Sequence, residues 1–88
     1  MHEQGIIDAL IKKILALARI ENAKQITKVT VRLGALSHMD TEHFKEHFDI
    51  SARGTIAENA IIEAEVSSDI QDPQAHFVTL LSFDVSDE

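Results

Sequence analysis

The sequence predicts a small α+β domain in two layers, a three-stranded mixed sheet with two helices packed on one of its faces. Three observations carry that expectation. The 88 residues and 44% apolar content suit one domain with one core. Two segments place apolar residues three and four apart, as an amphipathic helix does, and three others alternate apolar with polar residues, as a half-buried strand does. Their order along the chain is helix, strand, helix, strand, strand, with no internal repeat and no low-complexity stretch. Two layers are the stable way to bury such faces.

The first helix is expected from about Gly5 to about Asn22. Ile6, Ile7, Leu10, Ile11, Ile14, Leu15 and Ala18 form its apolar stripe, opposite Asp8, Lys12, Lys13 and Arg19. Asp8 and Lys12 lie four apart in the favourable order. From Ile26 to Leu33, Val29, Val31 and Leu33 alternate with Lys28, Thr30 and Arg32, and Gly34 ends the strand. After a turn over residues 35–39, Asp40 or Thr41 is placed to cap a second helix, whose Phe44 and Phe48 share a face and which stops at Gly54. A turn at Glu58-Asn59 precedes the alternating strand Ile62–Val66. The last strand spans about His76 to Val85, with Phe77, Leu81, Phe83 and Val85 expected on one face. Residues 67–75 between these strands form a polar loop holding the single proline. Lys28, Thr30, Arg32, Glu63 and Glu65 point away from the helices, leaving an open polar sheet face that offers room for a second subunit or a partner.

Charge narrows the function classes. The net charge of −7 argues against nucleic acid or anionic membrane surfaces as partners. It is unevenly spread: residues 1–32 hold six basic against three acidic residues, +3, whereas residues 33–88 hold two against twelve, −10. Absent a signal-like start or an apolar run of about 18 residues, a cytoplasmic protein is expected. Without cysteine there is no disulfide framework, no thiolate zinc site and no cysteine nucleophile. Gly5, Gly34 and Gly54 are too far apart to cradle a phosphate. His43 and His47 have a spacing that holds one metal ion, but the glutamate that a zinc hydrolase needs directly after the first histidine is Phe44 here. Their plainer reading is two polar residues flanking the Phe44 and Phe48 stripe. His38 and His76 sit singly in or beside turns. No enzyme is expected.

The start of the chain has the chemistry of a metal site. A histidine after the first residue brings the Met1 α-amine, the His2 amide nitrogen and the His2 imidazole within reach of one ion, a nitrogen set that suits square-planar Ni(II) or Cu(II). Glu3 adds a carboxylate and a further amide. Because His2 is bulky, the initiator methionine is expected to remain. The amine, amide and imidazole must lose protons to bind, so affinity is expected to fall as pH drops from about 8 to about 6.

Met1-His2-Glu3 followed directly by an amphipathic helix resembles the opening of the HypA/HybF hydrogenase nickel-incorporation proteins. The stretch from Lys24 to Ser37 resembles that family's strand and its Gly-x-Leu-Ser turn, here Gly34-Ala35-Leu36-Ser37. Gly54-Thr55-Ile56-Ala57-Glu58-Asn59-Ala60 resembles its Gly-Thr-x-Ala-Glu-x-Ala segment. The matches keep their order over most of residues 1–66. The resemblance implies a metallochaperone that delivers nickel to the hydrogenase large subunit, with a HypB-type GTPase as partner and urease as a second client in some bacteria. It implies Met1, His2 and Glu3 as the nickel site. Asp40 falls where some members place a further ligand, and it equally suits a helix N-cap. The family also carries two Cys-x-x-Cys pairs forming a zinc module between its last two strands. This chain has only the loop 67–75 there, so residues 1–88 are expected to be one nickel-binding domain without structural zinc. Two functions remain open: a nickel metallochaperone for hydrogenase maturation, or a truncated paralogue that serves as an interaction or regulatory module, pairing with a maturation factor or with itself as a homodimer.

Overall fold

A computed structural model of the chain describes residues 3–87, with side chains from Gln4 onward. The elements are α1 (Glu3–Ile20), β1 (Gln25–Leu33), α2 (Thr41–Ala52), β2 (Ile61–Val66) and β3 (Val78–Ser86). The order and number match the sequence expectation. β1 is central in the order β2-β1-β3, parallel to β2 and antiparallel to β3, so the sheet is mixed.

The apolar stripe of α1 is buried through Ile7, Leu10, Ile11, Ile14 and Ala18, and that of α2 through Phe44, Phe48 and Ala52. Both meet Ile26, Val29, Val31 and Leu33 of β1, with Ile62, Ala64, Val78, Leu80, Phe83 and Val85 closing the sides. Full burial of each large side chain stabilises the fold by about 1.5–3 kcal/mol, which makes the Phe44 and Phe48 pair, 5.9 Å between ring centroids, a principal anchor of α2.

Helix ends follow local chemistry. At the end of α1, Asn22 takes φ 56° and the amides of Ala23 and Asn22 donate to the carbonyls of Ala18 and Arg19, the paired bonds of a Schellman close. α2 opens on Asp40, whose carboxylate accepts from the His43 amide at 2.8 Å, and gives way to Gly54 at φ 79°.

The last strand departs from the expected pattern. Phe77 precedes β3 and is 55% exposed, and Leu81 is 41% exposed, so neither belongs to the core face. The physical reason is a register shift: Thr30 pairs with Ser82 but Val31 with Leu80, which leaves Leu81 as an extra residue. The bulge turns Val78 and Leu80 inward on one side and Phe83 and Val85 inward on the other. A second shift, between Ile26 and Lys28, makes Thr27 the extra residue of β1 and lets Ile26 and Val29 both reach the core although they are three apart.

The outer sheet face carries Lys28, Thr30, Arg32, Glu63 and Glu65 as expected, with Ile61 and Leu81 among them. Lys28 pairs with Glu63, and Arg32 meets Glu65 at 3.2 Å. The Glu63 hydrogen bond and charge raise the Lys28 ammonium above its usual 10.5.

Candidate metal site

The sequence singles out Met1, His2, Glu3 and Asp40. Met1 and His2 lie outside the described residues; Glu3 begins α1, and its side chain also lies outside the description. Asp40 is exposed, with Oδ1 committed to the α2 cap. Among the described residues no three metal-ligating side chains converge.

What the structure does bring together is the start of α1 and the polar edge of α2. Gln4 and Asp8 are one turn apart on α1, as are His47 and Ser51 on α2. The Gln4 amide nitrogen donates to Asp8 Oδ1 at 3.1 Å and to Ser51 Oγ; Ser51 Oγ donates to the same Asp8 oxygen at 2.6 Å. Gln4 Oε1 lies 2.8 Å from His47 Nδ1. Residue 4 thus meets 47 and residue 8 meets 51, so the seam runs in steps of one turn along both helices. Followed backward, it leads toward the α2 N-terminus, where Asp40 caps.

The seam has a definite polarity. An ionised carboxylate only accepts, so Asp8 orients the Gln4 amide with its nitrogen toward Asp8 and its carbonyl oxygen toward His47. That oxygen also only accepts, so the proton of this contact is donated by His47 Nδ1. The Ser51 hydroxyl, then the Gln4 amide, hold the Asp8 carboxyl below the usual 3.8, against a small opposing effect of burial. Lys12, the expected partner of Asp8, contributes least among these influences. On the other side of His47, the His43 ring stacks with centroids 4.9 Å apart and planes 16° from parallel.

Sequence reasoning paired His43 with His47 but did not select Gln4, Asp8 or Ser51 as their support. The available signal was the matching one-turn spacing of polar residues on both helices beside the apolar stripes. His38, at φ 59°, and His76 are exposed and remain separate from the seam. A concavity of about 520 Å³ is lined by Leu15, Arg19, Asn22, Ala23 and Gly54 to Ile56. It lies at the far end of α1 and holds no carboxylate or imidazole.

The motif residues of the two loops have structural work. The Gly34 amide donates to the Phe77 carbonyl at 3.0 Å and the Leu36 amide to that of Ala75 at 2.7 Å, while Ser37 Oγ donates to the Gly34 carbonyl at 2.7 Å. Thr55 Oγ1 donates to the Ala52 carbonyl at 2.7 Å and accepts from the Ala57 amide at 3.1 Å, tying the end of α2 to the buried Ala57 and Ala60. Among the described residues no helix is long and apolar enough to cross a membrane.

Comparison with known proteins supplies the context. Residues 1–71 match the HypA family model, described as hydrogenase/urease nickel incorporation, metallochaperone. The chain is 38% identical over 66 residues to the hydrogenase maturation factor HypA of Archaeoglobus fulgidus, covering 75% of this chain and 60% of the relative. Against HypA of Aquifex aeolicus the figures are 38% over 66 residues, 75% and 57%. The chain thus spans about three-fifths of the length of these curated relatives. The solution structure of the nickel metallochaperone HypA from Helicobacter pylori superposes with a TM-score of 0.82 over the whole of both chains at 20% identity, a likeness of fold.

Proposed function

The chain belongs to the HypA family of hydrogenase/urease nickel-incorporation metallochaperones, and from that premise we propose that it binds Ni(II) as cargo for the maturation of nickel-iron hydrogenase. The proposed ligands are the Met1 amine, the His2 amide and imidazole, and Glu3, with Asp40 as a supporting carboxylate. The chain's task is to hold and release the ion; it catalyses no reaction. A HypB-type GTPase and the hydrogenase large subunit are the partners this reading names, and urease is a second client.

The observation that carries the reading is the family match over residues 1–71, which includes the Met-His-Glu start. The donor set supports it: an amine, a deprotonated amide and an imidazole form a strong-field nitrogen set suited to square-planar Ni(II). The seam between α1 and α2 supports it too, since it braces the first turn of α1 against α2 and points toward Asp40. In this reading residues 1–88 are a single nickel-binding domain. The connection from Ser67 to Phe77 stands where relatives resembling it carry a zinc module, and the absence of cysteine leaves no thiolate for structural zinc.

Calorimetric and visible-absorption titration with Ni(II) tests the site. The protein beginning at Met1 is expected to bind tightly with an absorption band of square-planar nickel. His2→Ala and a form with one glycine added before Met1 are both expected to lose that band and at least a hundredfold in affinity. Equal tight binding by all three forms overturns the ligand set. The alternative, an interaction module for maturation factors, would then be preferred, with the outer sheet face and its exposed Ile61 and Leu81 as the observation in its favour.

A further inference from the structure

Among the described residues β3 pairs on one side with β1 and is open on the other, and none of its residues is fully buried. Sheet edges are usually guarded against further pairing by charge, proline or a cover. From Phe77 to Phe83 the chain has no charged residue, no proline and no glycine, a composition that favours the addition of a strand. The opposite edge is guarded: antiparallel pairing of two β2 strands about Ala64 sets Glu63 of each copy against Glu65 of the other.

Backbone direction fixes where a strand can be added to β3. The Gly34 amide donates to the Phe77 carbonyl at 3.0 Å, and Thr79 is the partner of Arg32. Backbone groups alternate sides along an antiparallel strand, so those of Thr79 face β1 while the amides and carbonyls of Val78 and Leu80 face the open side. No loop backbone or side chain among the described residues takes them up. A second β3, antiparallel and related by a two-fold axis at Thr79, sets Val78 of each copy against Leu80 of the other, and these pairs exchange backbone hydrogen bonds. The same register sets Phe77 against Leu81, the large apolar side chains left exposed at this edge. Thr79 meets its own copy, a favourable cross-strand pair. On the inner face, Val78 and Leu80 floor a groove of about 360 Å³ walled by Ile6, Ala9, Leu10 and Lys13 of α1. Charge fits as well. The Lys24 amide, just past α1, bonds the Ser86 carbonyl at the end of β3, so the two elements run the same way and Lys13 lies toward Leu80. Lys13 makes no ion pair among the described residues. The pairing turns it toward residues 67–77 of the other copy, which hold Asp69 and Asp72 and no lysine or arginine.

We propose that two copies of this chain pair through their β3 edges, antiparallel about Thr79, joining two three-stranded sheets into one continuous sheet. The strand order becomes β2-β1-β3-β3-β1-β2, which closes both uncharged edges and leaves the acidic β2 strands outermost. The bulge at Leu81 ends the flat stretch, so the contact is confined to residues 77–81 and is weak and reversible. It asks nothing of the N-terminal ligands.

Sedimentation velocity of the metal-free full chain, over a concentration series reaching the millimolar range, reads the association. The native chain is expected to pass from monomer to dimer. Thr79→Lys and Thr79→Glu each set like charges against one another on the axis and are expected to weaken self-association about tenfold or more. Thr79 is half-buried, and the folding of both variants is checked by circular dichroism. Mixed in equal amounts, the two variants set lysine against glutamate and are expected to dimerise again, a pattern that requires the axis at residue 79. A milder substitution, Thr79→Cys, is expected to oxidise to a disulfide-linked dimer, because opposed residues that share no hydrogen bonds stand about 4.5 Å apart at Cα. Ile61→Cys, on the β2 edge, is expected to cross-link far more slowly. A native chain that stays monomeric throughout overturns the pairing and assigns the edge to a strand of another protein. Dimers that persist in both charged variants, or a mixture that stays monomeric, overturn it as well.

Discussion

Asp40 shows how one side chain serves two readings and how they separate. Its Oδ1 accepts from the His43 amide at 2.8 Å, closing one of the unpaired amides at the start of α2. Asparagine keeps that acceptor and removes the charge, whereas alanine removes both. Asp40→Ala is expected to cost about 1 kcal/mol in urea denaturation and Asp40→Asn only a few tenths. If the carboxylate also supports nickel, both variants weaken Ni(II) binding, including the stable asparagine form. Loss of affinity confined to the alanine form would assign Asp40 to the cap alone. The sequence made Asp40 visible in both roles because capping and metal ligation use the same oxygen atoms. The geometry shows the cap, through Oδ1, and the asparagine variant isolates the charge.

At the scale of elements, the seam between α1 and α2 is polar and made of short contacts, so it responds to protons. Asp8 accepts from Ser51 and Gln4 and is held below 3.8 in the fold. A depressed carboxyl stabilises the fold above the unfolded pKa, and that contribution is lost as pH falls through the folded one. Denaturation midpoints measured from pH 6 to pH 3 are expected to fall for the native protein below about pH 4. Asp8→Asn is expected to follow a shallower course over that window. Parallel courses would show that the seam does not couple Asp8 to folding. Element order and the stripes of α1 and α2 were legible because periodicity reports burial directly. The inward face of β3 was not, because the extra residue Leu81 exists only relative to its pairing with β1. A single strand carries no mark of where its partner skips, so Phe77 and Leu81 read as core while Val78 and Leu80 took that place. Gln4 and Ser51 stayed hidden for a similar reason, since their partners lie 47 and 43 residues away in sequence.

For the whole molecule the decisive constraint is how the chain returns to the sheet after β2. β2 and β3 occupy opposite edges, and Val66 and Val78 both pair with Leu33, so the connection must pass over the end of β1. Two strand spacings are about 10 Å, a distance that residues 67–77 cover with slack. The slack is taken up by pressing residues 74 and 75 against the backbone at Gly34, with hydrogen bonds from Gly34 to Phe77, Leu36 to Ala75 and Ser67 to Leu33. A Cβ at Gly34 would stand 2.6 Å from the Ala75 carbonyl carbon and 2.7 Å from the Gln74 carbonyl oxygen, and backbone cannot yield as a side chain does. The glycine of the Gly-x-Leu-Ser turn is therefore required by the crossing. Gly34→Ala is expected to lower stability by about 1–3 kcal/mol, as overpacking does, with amide exchange rising first at Leu36 and in the adjoining start of β3. Gly54→Ala, with nothing within 4 Å but φ at 79°, is expected to cost about 1 kcal/mol and to leave exchange at Leu36 unchanged. Equal exchange patterns in the two variants would mean that the crossing is not held at Gly34. If Gly34→Ala alone loosens it, the close approach there keeps a three-stranded sheet closed at the end where its two edge strands are joined.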